Sequence, residues 1–151
     1  MLVEASILID APRDDVYDIL TEYGEPVRLR INPSLKAQRV LERQGNVVLC
    51  ENEWERDGRR IVQRRRYILH PPERIEEEVV GADSGLVRVM TTLVPEGDQT
   101  RLTIVSDYRF RGLWRLIAGL LRSKLREADD ELLATLKKGI EAEFEEIPED
   151  E

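Results

Sequence analysis

The sequence predicts an α+β fold: a curved antiparallel sheet of about seven strands wrapped around one long C-terminal helix, with two short helices after the first strand. Three observations predict it. From Leu35 to Phe110 apolar residues recur with period two, cut by turn signals at Gly45-Asn46, Asp57-Gly58, Pro71-Pro72, "GADSG" and "PEGDQ". After Gly112 the period becomes 3.6, and Leu113, Ile117, Leu121, Leu125, Ala128, Leu132, Leu136, Ile140 and Phe144 form one stripe of a helix about 30 residues long. A stripe of that length must bury itself against something, and a strongly bent sheet does so while leaving space between the layers.

Taken in order, Val3 to Asp10 alternates as a strand. "APRDDVYDIL" opens a short helix, since Pro12 suits a first helical turn and Asp14 and Asp15 favour its positive end. Its buried side is Val16, Ile19 and Leu20, with Tyr23 following. "YGEPVRLRINP" is a broken connection that holds another short helical turn. The strands between Leu35 and Phe110 then form a meander of about six, and the long helix closes the chain. A single domain over residues 1–145 and a frayed acidic tail over 146–151 are expected.

Composition narrows the function classes. The chain has 151 residues, one cysteine (Cys50) and one histidine (His70). That excludes an intrachain disulfide and argues against a zinc or di-metal site, which needs several soft or imidazole ligands; no metal or other cofactor is expected. No signal peptide opens the chain and no apolar run approaches membrane-spanning length, so a cytoplasmic protein is the expectation. The net charge is −8, but from Glu127 onward eleven acids face two lysines, leaving the first 126 residues close to neutral. The acidity belongs to the end of the chain.

The run "RRIVQRRRYILHPPERI" (59–75) looks at first like a nucleic-acid patch. Strand alternation divides it. Asp57-Gly58 is a two-residue hairpin signal, and closing it pairs Trp54 with Ile61, Asn52 with Gln63, Glu51 with Arg64, Cys50 with Arg65 and Val48 with Tyr67. Around Pro71-Pro72 the register pairs Leu69 with Ile75, Tyr67 with Glu77 and Arg66 with Glu78. Glu55–Arg60, Glu51–Arg64 and Arg66–Glu78 are then outward cross-strand ion pairs, each contributing roughly 0.2–1 kcal/mol. With acids opposite the arginines and few aromatics interleaved, no nucleic-acid partner is expected.

Arg65 alone turns inward, with Trp54, Gln63, Tyr67, Glu77, Val89 and Tyr108, and with Ser106. An inward arginine and glutamate must pair or meet water or ligand, because unpaired buried charge is very costly. Two readings stay open: a structural Arg65–Glu77 pair closed by Tyr67, or the polar end wall of an apolar ligand cavity. Cys50, beside Arg65, is either a small core residue or a thiol with a lowered pKa. His70, against two prolines at a turn, is expected to be exposed. "RFRGLWRLIAGLLRSKLR" (109–126) carries six bases and no acid. Either Leu113, Trp114 and Leu116 pack beneath the short helices, or Leu113, Trp114 and Arg115 meet a membrane surface. Gly112 and Gly119 would let this segment move or approach its neighbours closely.

The phrases "ILIDAPRDDVYDIL", "NPSLKAQRVLE", "HPPERIEEEVV" and "GDQTRLTIVSDY", in that order before a long final helix, resemble the START-related, birch-pollen-allergen-like superfamily (SRPBCC). The nearest likeness is to its polyketide cyclase/dehydrase and lipid-transport branch. The resemblance implies the helix-grip fold and a cavity between sheet and helix for a small hydrophobic molecule such as a lipid, quinone or polyketide. Function does not follow from fold, because the superfamily mixes carriers and enzymes. The first reading is therefore a non-catalytic carrier or sensor with Trp54, Gln63, Arg65, Tyr67, Glu77, Val89 and Tyr108 at its site. The alternatives are a metal-free cyclase or dehydratase using Arg65 with Glu77 or Tyr67, a membrane-associated quinone or lipid chaperone, and a ligand-independent interaction module.

Overall fold

A computed structural model of the chain describes residues 1–81 and 85–146. The elements run β1 (Leu2–Ile9), α1 (Arg13–Leu20), α2 (Pro26–Ile31), β2 (Leu35–Gln44), β3 (Val47–Arg56), β4 (Arg59–His70), β5 (Arg74–Val80), β6 (Leu86–Glu96), β7 (Gln99–Tyr108) and α3 (Leu113–Glu146). The seven strands form one antiparallel sheet in the order β1-β7-β6-β5-β4-β3-β2. This is the helix-grip arrangement of a bent sheet around a long C-terminal helix. The expected acidic tail, apart from Glu146, lies outside the described residues, as does the middle of the "GADSG" turn.

Local chemistry explains most of the elements. Pro12 caps α1 with extended backbone, and Val16 N–H donates to its carbonyl at 3.0 Å. Asp57 (φ 53°) and Gly58 (φ 74°) supply the two positive φ angles that a tight hairpin turn requires. The β3–β4 register that follows pairs Trp54 with Ile61, Cys50 with Arg65 and Val48 with Tyr67, as expected. The β4–β5 register pairs Tyr67 with Glu77 and Arg66 with Glu78. Register shifts in β2 (35/37 and 40/42) and β6 (86/88) bend the sheet, because each bulge increases local twist.

The outward arginines form a ladder that reaches further than the sequence suggested. Arg66 and Arg88 both meet Glu78 (3.3 and 3.5 Å), while Arg39 and Arg64 share Glu51 (3.0 and 3.8 Å). One partner differs: Arg60 sits opposite Glu55 but donates to Glu53 at 2.6 Å. A guanidinium reaches the diagonal neighbour on the same face, so backbone register alone does not fix its partner. At the hairpin end Ile61, expected inward, is 43% exposed, since the sheet extends there beyond the helix's cover.

The helix is gripped at one end. Its inner line of Leu133, Leu136 and Ile140 is buried with Ile9, Val16, Ile31, Leu102 and Ile104. Three further contacts anchor this half. Glu143 holds Arg30 of α2 at 2.6 and 3.1 Å, Glu141 accepts from the Asp10 N–H at 2.9 Å, and Lys137 donates to the Leu8 carbonyl at 2.9 Å. The glutamates that oppose the helix dipole are thus fastenings for β1 and α2. A Cβ at Gly139 would lie 2.6 Å from Ile31 Cα, so this glycine lets α2 lie against α3. Gly119 does not serve that purpose, having nothing within 4 Å of a Cβ position.

The first half of α3 departs from expectation. Leu113, Leu116 and Leu120 are about four-fifths exposed, Trp114 is 60% exposed, and neither short helix covers them. Both short helices lie on the opposite half of α3, where Ile31 meets Gly139 and Arg30 meets Glu143. Packing beneath the short helices is therefore excluded for Leu113, Trp114 and Leu116.

Candidate functional site

The inner sheet face changes character along the strands. One row across β3 to β7 reads Val48, Tyr67, Glu77, Val89 and Ser106. The next row toward the open end holds Cys50, Arg65 and Val79. Trp54 and Tyr108 lie further along the inner sides of β3 and β7. Here the apolar side chains Trp54, Val79, Val87 and Val89 are only half-buried. Facing α3, Ala118, Leu121 and Leu125 are half-buried too. Inner sheet face and α3 thus bury one another less toward this end, and the half-covered strip between them is an apolar-floored trough. Two surface clefts, of about 310 and 390 Å³, lie elsewhere: beside Tyr23 and Arg43, and on the outer sheet face near Leu49 and Arg66.

A polar group stands in the trough. Arg65 Nη1 donates to Glu77 Oε2, Arg65 Nε donates to Gln63 Oε1 at 2.8 Å, and the guanidinium lies over the Trp54 ring, 4.9 Å from its centroid. The Arg65 and Glu77 side chains keep 14% and 18% of their exposure. The pair is hydrogen-bonded and nearly dry, which makes it far more costly to break than a surface ion pair.

Tyr67 belongs to a deeper layer. It is 2% exposed and stacks on Tyr23 with ring centroids 4.3 Å apart, and its hydroxyl accepts from Asn52 Nδ2 at 2.9 Å. Asn52 in turn accepts from Gln38 Nε2 at 3.0 Å, so the partners of Tyr67 run toward β2, away from Arg65. Burial first, then the Glu77 charge, pushes the Tyr67 phenol well above its ordinary pKa. The expected triad in which Tyr67 closes the Arg65–Glu77 pair is replaced by two adjoining networks. Cys50 is fully buried, and burial pushes its thiol up to about 11. It is a core residue, without the lowered pKa that its place beside Arg65 suggested. His70 is half-buried, with Nε2 3.6 Å from Glu76.

One residue at the site escaped the sequence. Asp129, on the inner line of α3, is 7% exposed and lies against Ser106, which is also buried. Burial pushes the Asp129 carboxyl above its ordinary range, with the Ser106 hydroxyl as the opposing hydrogen-bond donor. Its charge contributes to the upward shift of Tyr108, behind the larger effect of burial. Asp129 Oδ2 and Trp54 Nε1 have no hydrogen-bond partner among the described residues. A carboxylate oxygen on α3 and an indole donor on β3 are therefore each left unsatisfied. Asp129 lies four residues from both half-buried Leu125 and buried Leu133, on one helix face with them, which is the signal that could have found it.

The raised pKa has a direction that can be checked. A carboxyl that holds its proton more tightly in the folded chain than in the unfolded one makes stability fall as pH rises between the two values. Asp129→Asn removes that dependence while keeping an acceptor for Ser106. The variant is expected to be more stable than the parent at neutral pH and to match it below the ordinary aspartate range. Urea midpoints at both pH values measure it, and an unchanged pH slope would show that Asp129 is not the group responsible.

Comparison with known proteins places the fold. The Zhui aromatase/cyclase from Streptomyces sp. R1128 superimposes with a TM-score of 0.74 at 17% identity, covering 96% of this chain and 93% of its own. A START superfamily protein from Mycobacterium smegmatis gives 0.71 at 18%, covering 97% and 99%. Ara h 8.0201 gives 0.65 at 9%, covering 94% and 98%. The chain has the fold of the START-related, birch-pollen-allergen-like superfamily. No family model matches the sequence. No curated protein matches it by sequence. Among the described residues no helix is long and apolar enough to cross a membrane.

Proposed function

We propose that the chain binds and carries a small, mainly apolar molecule in the trough between the inner sheet face and α3. The carrying observation is Trp54 Nε1, unsatisfied beside the Arg65–Glu77 pair, together with Asp129 Oδ2, unsatisfied on α3 against Ser106, and half-buried Val79, Val87 and Val89 on the inner sheet face. Buried polar atoms are nearly always satisfied, and those left without a partner beside an apolar-floored trough call for one. The class of ligand follows from charge. Arg65 is already neutralised by Glu77, so the wall offers hydrogen-bond donors without net positive charge. It suits a neutral carbonyl or hydroxyl, as in a quinone or an aromatic polyketone, better than a carboxylate. The Zhui protein is an aromatase/cyclase and another neighbour is a START protein, which supports a ligand of this kind without choosing between carriage and turnover.

The site residues in this reading are Trp54, Arg65, Glu77, Val89 and Tyr108 lining the trough, with Gln63 orienting Arg65 and Tyr67 supporting the wall from behind. Displacement of a fluorescent apolar probe tests it. A neutral quinone should displace the probe, a fatty acid of similar size should do so less well, and Arg65→Met should weaken the quinone about tenfold, the worth of one hydrogen bond to a charged group. Failure of every such compound, with native protein yielding no extractable small molecule, would remove the reading.

A further inference from the structure

We propose that the first half of α3 is a docking surface for an anionic lipid bilayer. Leu113, Leu116, Ile117 and Leu120 follow the i, i+3, i+4, i+7 pattern of a single helix face, and three of them are about 80% exposed. That face is distinct from the one turned to the sheet, where Ala118, Leu121 and Leu125 lie. An exposed apolar face of this kind on an otherwise charged chain marks a contact surface. Arg115, Arg122 and Arg126 share the helix's polar side, and the run from 109 to 126 holds six bases and no acid. Bases on the polar face of an apolar-striped helix are the features that hold a helix in the plane of an anionic membrane surface.

Charge along the chain favours this occupant over another copy of the protein or an acidic partner groove. The arginines of α3 all lie in its exposed half. From Glu127 onward the chain carries eleven acids against two lysines, a charge that an anionic surface would repel. The hairpin tip of β3–β4 lies at the same end of the sheet as Tyr108, and there Val62 is 63% exposed and Ile61 43% exposed. The trough opens at this end as well. A bilayer meeting the patch would thus face the trough's mouth, although docking itself does not depend on what the trough holds.

Co-sedimentation with vesicles tests the proposal. The probes are vesicles of phosphatidylcholine alone and of phosphatidylcholine mixed with phosphatidylglycerol. The chain is expected to pellet with the mixed vesicles and to be released by salt. Leu116→Ser with Leu120→Ser should lower partition roughly tenfold or more, and Arg115→Gln about fivefold. All three positions are exposed, and an unchanged circular dichroism spectrum confirms that the variants fold. Failure to bind mixed vesicles overturns the proposal. So does sedimentation of the free chain as a dimer that the leucine variant dissociates, because the face would then belong to a second copy. Neither result bears on probe displacement from the trough, so the two readings fail separately.

Discussion

Glu77→Leu is expected to destabilise the chain by about 3 kcal/mol, the cost of leaving a nearly buried charge without its partner. Arg65 loses the carboxylate that accepts its Nη1–H and retains Gln63 and the Trp54 ring, neither of which carries charge. The double variant Arg65→Met with Glu77→Leu should recover most of the loss, because a pair of apolar side chains needs no desolvation of ions. Urea unfolding of the parent, the two single variants and the double variant gives the coupling as a cycle. A pair that serves only the fold predicts no more than this. A pair that presents donors to a neutral ligand predicts in addition a change of preference. With Glu77 gone, Arg65 keeps an uncompensated charge, so a fatty acid should now displace the probe better than a quinone. Glu77→Leu that costs stability and leaves ligand preference unchanged would confine Arg65 to a structural role.

What the sequence could and could not show follows from the range of each signal. The β3–β4 and β4–β5 registers were legible because side-chain alternation has period two and the Asp57-Gly58 turn admits one closure. That was enough to separate Arg65 from Arg60, Arg64 and Arg66. Helix period was equally legible, but it gives a stripe without saying where along its length the stripe is covered. The cover is decided by α1 and α2, which pack near Gly139 and Glu143 and leave Leu113 to Leu120 open. Asp129 was missed for a related reason. A charged residue beside an apolar stripe is usually at its wet edge, and only the contact with Ser106 shows it to be inside. Tyr67 was placed on the correct face, yet its partner lay two strands from Glu77 in β3, and strand pairing alone does not say which neighbour a hydroxyl chooses.

The network behind Tyr67 leads to the second large effect. Asn52 is fully buried and satisfies two side chains at once, accepting from Gln38 Nε2 at 3.0 Å and donating to Tyr67 at 2.9 Å. Gln38 Oε1 accepts from the Gly24 N–H at 3.0 Å and from Arg28 Nε at 3.4 Å. Arg28 Nη1 reaches the Leu20 carbonyl at 3.1 Å and its guanidinium lies over Tyr23, 5.2 Å from the ring centroid. One chain of bonds therefore ties the α1–α2 connection to β2, β3 and β4. Asn52→Leu keeps the volume and leaves the Gln38 amide and the buried Tyr67 hydroxyl without their shared partner, so it should cost about 2–4 kcal/mol. Tyr67→Phe strands a single donor, Asn52 Nδ2, and should cost nearer 1 kcal/mol. Asn52→Asp separates polarity from packing. Its carboxyl has no water and lies near Glu77's field, so its folded pKa must rise above the unfolded value. Stability should then be near that of the parent at acid pH and fall as pH rises through the raised value, where the unfolded chain gives up its proton first. Denaturation midpoints across pH measure this directly. A flat profile for Asn52→Asp would mean that solvent enters the network, and Tyr67 would then belong with Arg65 among the residues a ligand can touch.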